Sequence, residues 1–260
     1  MEQPSVIARR DGRVGLIQLN EPKSMNALSG GIKAGLDQHI PAMLRDAEVR
    51  CLVITGEGKA FCAGGDIRSM GQGQRAPLAV RERVARGHDW TRMLLEHEKP
   101  VVAMVNGAVA GAGLSLMLMA DIVIASDAAT FRAGFPALGA VPDLGLAYTL
   151  PRAVGFLRAK EMLLTNRQVL PPEAAAMGLV NRVVPAQELQ AEAMKLAAQL
   201  ADGPWSLGLT KTLMKRAYDD TLESFLEGEA MAQAMAFASE DFAEGVEAFM
   251  GKRKAAFKGR

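Results

Sequence analysis

Apolar positions fall into short alternating runs near the N-terminus and into long helical stretches near the C-terminus. Ser5 to Arg10 and Arg13 to Asn20 are β-rich runs on either side of Asp11-Gly12, which predicts a hairpin closed by a type I′ turn. Ser29 stands where an N-cap belongs, ahead of a helical pattern running to about Ala47. Arg50 to Thr55 reads as a short apolar strand ended by Gly56-Glu57-Gly58, and Ala60 to Asp66 as a second strand with its loop. A single helix is expected over about Ala76 to His97, and Gly71-Gln72-Gly73 before it reads as a mobile segment. Beyond Pro100 the pattern predicts a strand to Val105, a helix from about Ala112 to Met119 and a strand from Asp121 to Ala125. After Pro185 it is helical almost continuously, with breaks near Gly203-Pro204 and Ser239-Glu240. This order predicts an α/β core over residues 1–200 and a helical region over 201–260, with no close sequence repeat.

One stretch has a rival reading. Val101 to Ala120 is twenty residues in which only Asn106 and Ser115 are polar, long enough for a membrane span. Asn106-Gly107 and the glycines that follow interrupt it after a strand-like Val-Val-Ala-Met-Val, so a buried strand, turn and helix fit better. Composition agrees with a globular domain: 260 residues, 49% hydrophobic, 23% charged and a formal net charge of +1. That balance provides no electrostatic footprint for nucleic acid. Met1-Glu2-Gln3-Pro4 lacks the features of a secretory signal, which makes the cytoplasm the expected compartment. Cys51 and Cys62 have neither disulfide-framework nor zinc spacing and read as reduced packing residues; no metal is expected.

Candidate chemistry lies in two glycine-bearing turns, Ala63-Gly64-Gly65-Asp66-Ile67 and Ala110-Gly111-Ala112-Gly113, each following an apolar strand. Small residues let a ligand approach the backbone, and a helix start leaves NH groups without partners. Two such NH groups converging on one carbonyl oxygen would stabilise charge developing there. The plainer reading is tight strand-to-helix packing. Neither turn has the GxGxxG order or a phosphate-loop lysine, which argues against a nucleotide site.

With Leu19-Asn20-Glu21-Pro22, Met25-Asn26-Ala27-Leu28, Pro142-Asp143, Leu150-Pro151-Arg152 and the terminal Glu240 to Phe257 segment, these turns resemble the enoyl-CoA hydratase/isomerase, or crotonase, family along nearly the whole chain. The resemblance implies a crotonase-like α/β spiral of ββα units with a helical C-terminal region, assembled as a homotrimer or dimer of trimers. It implies an acyl-CoA thioester as substrate, with coenzyme A as part of that substrate and no separate cofactor. Gly65 and Ala112 correspond to the two NH donors of the family's oxyanion hole. Met25, Asn26, Ala27, Ala63, Gly64, Asp66, Ile67, Gly111 and Phe135 fall where thioester and coenzyme A would be lined, and Lys211, Phe249 and Lys252 on helical segments that would reach coenzyme A.

The sequence departs from the family's hydratases. Their two glutamates are replaced by Ser115 and Phe135, neither of which can act as a carboxylate. Ser115 reads as a packed helix residue. Asp143, read alone, suits a helix N-cap; the resemblance makes it the carboxylate that moves a proton in isomerases of the family. In 4-chlorobenzoyl-CoA dehalogenase, also of this family, an aspartate at that place attacks the ring and a helix histidine assists. His88 matches that histidine, while Phe135 stands where that enzyme has tryptophan. His39 and His97 read as incidental, His97 as surface. The leading expectation is an enoyl-CoA isomerase. The alternatives are a hydratase, a dehalogenase-like hydrolase and a noncatalytic acyl-CoA-binding protein.

Overall fold

The computed structural model describes residues 3–72 and 76–260. Strands β1 (Val6–Asp11) and β2 (Val14–Leu19) form the expected hairpin, and α1 (Gly30–Arg45) begins at Ser29, whose hydroxyl accepts the Ile32 NH at 3.1 Å. The turn residues are Gly12-Arg13, one position later than expected, and only Gly12 has positive φ, which suits a II′ rather than a I′ turn.

Next come β3 (Cys51–Gly56), β4 (Ala60–Cys62) and α2 (Ile67–Gln72). The helix expected over Ala76 to His97 is two, α3 (Pro77–Arg86) and α4 (His88–Glu96), broken at Gly87. Of the glycine segment expected to be mobile, Gly71 and Gln72 end α2, and Gly73 lies outside the described residues. The apolar stretch from Val101 is β5 (Val101–Val105), β6 (Ala108–Ala110) and α5 (Ala112–Met117). Among the described residues no helix is long and apolar enough to cross a membrane.

The chain continues through β7 (Ile122–Ser126), β8 (Thr130–Arg132), α6 (Leu146–Val154), α7 (Phe156–Thr165), β9 (Gln168–Val169), α8 (Pro171–Ala176) and β10 (Arg182–Val184). It ends in α9 (Leu189–Ala201), α10 (Ser206–Arg216), α11 (Leu222–Phe237) and α12 (Glu240–Met250).

Two sheets organise these elements, one ordered β1-β2-β3-β5-β7-β10 and the other β4-β6-β8-β9. Each of β3, β5 and β7 in the first sheet is followed by β4, β6 or β8 in the second, in the same order. The structure is therefore a spiral of repeated strand pairs, although the sequence shows no repeat. The pairings from β2 through β10 in the first sheet are parallel and its faces are covered, which accounts for the unbroken apolar runs of β3 and β5.

Alternation then divides each run between two cores. Leu52 and Ile54 pack with Ile32, Leu36 and Ile40 of α1, whereas Cys51 and Val53 pack with Ala193, Leu196 and Ala197 of α9. Each fully buried leucine or isoleucine contributes about 1.5–3 kcal/mol. Both cysteines are buried free thiols, and burial pushes each up to about 12.

Candidate active site

The first glycine turn leaves β4 and is clamped from one side. The Ala63 NH donates to Met25 O at 3.0 Å, and the Leu28 NH donates to Gly64 O at 2.7 Å. Met25 and Asn26 accommodate this with left-handed backbones, φ 54° and 55°. Asn26 is fully buried, and its amide donates to Glu57 O and Ala60 O while its oxygen accepts the Glu21 NH. Its side chain ties the Met25–Ala27 segment to the Glu57–Ala60 stretch that leads into β4, so the Asn26 amide is spent on the fold, while Met25 beside it is 44% exposed. Asp66 caps α2 by accepting the Arg68 NH at 3.2 Å, and Ile67 is exposed at the start of that helix.

The second turn leaves β6, the parallel neighbour of β4, so the sheet sets the two turns side by side. Gly64 has φ +97°, and a β-carbon there would lie 2.7 Å from Ala110 O and 3.2 Å from Ala112 N. Gly111 has φ +54° and its NH goes to Arg132 O, after which α5 opens with Leu114 N donating back to Gly111 O. Ala112 N is at the first turn of that helix and has no carbonyl behind it. Among the described residues neither Gly65 N nor Ala112 N donates to another protein group. The two turns thus abut with an amide left over on each, Gly65 partly open and Ala112 buried.

Neighbouring elements close around them. Met70 on α2 lays its sulfur over Gly65, 2.9 Å from where a β-carbon would stand. Gly134 comes against Gly111, and Phe135 follows it into the core at 7% exposure. Ser115, one turn along α5 from Ala112, is completely buried, and its hydroxyl donates to the main-chain oxygen of Asp143 at 3.0 Å.

Asp143 is not an N-cap. Helix α6 starts at Leu146 with Gly145 as its cap and no side-chain cap bond. One carboxylate oxygen of Asp143 is buried and unpartnered among the described residues. Burial raises this carboxyl above the usual carboxylate range, partly offset by Lys33, by its own backbone NH and by His88. His88, the first residue of α4, is half-buried, and the neighbouring Gly87 packs against the Leu144 side chain. The structure thus brings the start of α4 to the Asp143 loop. Lys33, from the remote helix α1, carried no signal in the sequence.

Other candidates lie elsewhere. The Lys211 ammonium bonds Leu94 O, Lys99 O and Asp121 and is only 11% exposed, so its three donors are taken up within the fold. Phe249 is exposed beside a groove of about 410 Å³ between α10, α12 and the C-terminal tail, whose lining includes neither glycine turn. Lys252 follows on an exposed turn with φ 50°. His97 is half-buried rather than a surface group, and its Nδ1 accepts the Lys99 NH at 3.1 Å. His39 lies on α1, and nothing here ties it to the site.

The spiral of strand pairs followed by helices is the fold of the crotonase class. Residues 9–260 match the family described as enoyl-CoA hydratase/isomerase, and the chain belongs to it. It is similar to the 1,2-epoxyphenylacetyl-CoA isomerase of Escherichia coli, at 36% identity over 94% of each chain. The crotonyl-CoA hydratase of Syntrophomonas wolfei is 35% identical over 99% of each chain. The crystal structure of an enoyl-CoA hydratase from Bacillus anthracis superposes with a TM-score of 0.93 at 30% identity, covering 98% of this chain and 100% of that one.

Proposed function

We propose that the chain is an enoyl-CoA isomerase that moves a carbon–carbon double bond through a dienolate. The Gly65 and Ala112 amides hold the thioester oxygen as it gains negative charge; each such donor contributes about 3–4 kcal/mol to transition-state binding. Asp143 takes a proton from the carbon next to the thioester, and the same carboxyl returns it two carbons further on, so the reaction is balanced without water. Carboxylates in this role contribute about 10²–10⁴-fold in rate.

The observation that carries this reading is the Asp143 carboxylate itself, half-buried with one oxygen unpartnered, in a chain that has Ser115 and Phe135 at the positions where the resemblance places the hydratases' glutamates. The names of the relatives mostly say hydratase and one says 1,2-epoxyphenylacetyl-CoA isomerase, so it is these residues rather than the family that favour isomerisation. His88 near Asp143 favours a second reading, in which Asp143 attacks a halobenzoyl ring and the ester is then hydrolysed.

Incubation with 3-enoyl-, 2-enoyl- and 4-halobenzoyl-CoA, followed by mass spectrometry and halide release, separates these readings. Isomer with no gain of water supports the proposal. Hydration of 2-enoyl-CoA without isomerisation, or halide release, replaces it, and no change with any thioester points to binding alone. The apolar side chains exposed along α11 and α12, among them Met231, Met235, Phe242 and Phe249, support the trimer or dimer of trimers that the family resemblance implies. Light scattering of the purified protein tests that assembly.

A further inference from the structure

A serine inside a short helix ordinarily returns its hydroxyl to a carbonyl of the preceding turn. Ser115 has Gly111 O behind it, but Gly111 O already receives both Leu114 N at 2.9 Å and Ser115 N at 3.3 Å. The hydroxyl instead crosses to Asp143 O at 3.0 Å. That oxygen also accepts Leu146 N at 3.1 Å, so the Asp143 carbonyl is held from α5 and from the first residue of α6.

Leu144 follows at φ 48°, a conformation that L side chains avoid and that persists only where surroundings enforce it. Its side chain is 7% exposed and lies against Gly87, where a β-carbon would meet Leu144 Cδ2 at 2.7 Å. The loop carrying Asp143 is therefore pinned by Ser115 at Asp143 and by the core packing of the strained Leu144 that follows. The helix that supplies the peg also supplies the Ala112 amide three residues earlier, about 4.5 Å along the axis.

We infer that Ser115 is a positioning residue whose hydroxyl fixes the Asp143 main chain, setting the carboxylate at a constant separation from the Ala112 amide. The inference rests on the reading of Asp143 as the proton carrier. A hydratase-type glutamate at this position would reach the substrate itself; the shorter serine instead locates the remaining acid. Misplacement of a catalytic group by about 1 Å costs on the order of 10²-fold in rate.

The test compares Ser115→Ala, Ser115→Cys and Asp143→Asn with the wild type on 3-enoyl-CoA. Ser115→Cys keeps nearly the volume of the serine but donates weakly. The expected result is a 10- to 100-fold fall in kcat in both serine variants, with KM within about threefold. The acid limb of kcat/KM should also move toward the ordinary aspartate range as the freed loop admits water. Wild-type kcat and acid limb in Ser115→Cys would show that the site needs only volume and would overturn the inference, even if Ser115→Ala fails to fold. Full turnover in Asp143→Asn overturns the isomerase reading and this inference with it. An inactive Asp143→Asn beside a fully active Ser115→Ala overturns the inference alone.

Discussion

Gly64 stands directly against Ala112: a β-carbon on the glycine would lie 3.2 Å from the alanine nitrogen and 2.7 Å from the preceding carbonyl oxygen of Ala110. The neighbours are backbone atoms and cannot swing aside, and φ +97° adds strain for any L side chain. Gly64→Ala is expected to push the two turns apart, lowering stability by roughly 1–3 kcal/mol and kcat by tenfold or more. Denaturant unfolding beside steady-state kinetics checks both effects. An unchanged kcat in a folded variant would detach the turn geometry from catalysis.

Asp143 links activity and stability to pH in opposite directions. Its folded-state carboxyl is raised above the ordinary value chiefly by burial, so the acid limb of kcat/KM is expected above the range of a free aspartate. A raised acid binds its proton more readily in the folded chain. Its contribution to stability is fully present below the unfolded value and is lost as pH rises through the folded one. Asp143→Asn is therefore expected to abolish turnover while melting at or above the wild-type temperature at pH 7, with that advantage shrinking in acid. Thermal melts across pH 3 to 8 provide the measurement.

Lys211 joins Asp121 at 2.8 Å in a largely buried pair, and Asp121 also accepts the Val101 NH at 2.7 Å. Lys211→Met leaves that carboxylate without its cation, at an expected cost of about 2–3 kcal/mol, below the range for fully buried pairs because Asp121 is partly exposed. Burial already raises the Asp121 carboxyl against the pull of Lys211, and removing the cation raises it further. The deficit should therefore grow as pH rises from 4 to 7.5. Urea midpoints measure this, and a KM for the thioester within twofold of wild type marks Lys211 as structural. A tenfold rise in KM with unchanged stability would restore it to coenzyme A binding.

Asp241 is 3% exposed and accepts backbone NH groups from Trp205, Lys258 and Gly259, while its own NH donates to Arg260 O. It fastens the C-terminal tail to the start of α10. Asp241→Ala is expected to destabilise the protein by about 2 kcal/mol and to expose the tail to trypsin at Lys252 to Lys258. Time-resolved proteolysis with mass spectrometry reads this out, and an unchanged cleavage rate would refute the fastening.

Local sequence determined a good deal of this protein. Ser29 announced α1, Gly12 the hairpin, and the apolar runs of Arg50–Thr55 and Val101–Val105 announced central strands, because caps, turns and burial leave signatures within a few residues. The glycine turns were legible for the same reason, since a backbone approached closely by another chain segment tolerates only small residues, and the family followed from the resemblance of those turns and the motifs around Asn26 and Asp143. The three-residue strands β6 and β8 were not, being too short for a period to show, and the break at Gly87 was hidden inside an otherwise helical pattern.

The side-chain partners were decided by tertiary structure alone. Asp143 looked like a cap until α6 began at Leu146, and Lys211 stood on a segment expected to reach coenzyme A until Asp121 and two carbonyls enclosed it. Ser115 reaches across 28 positions to Asp143 because the spiral carries α5 beneath that loop. A sequence states what each residue can donate, accept or bury; which group meets it depends on how the strands stack, and that is a property of the packed chain.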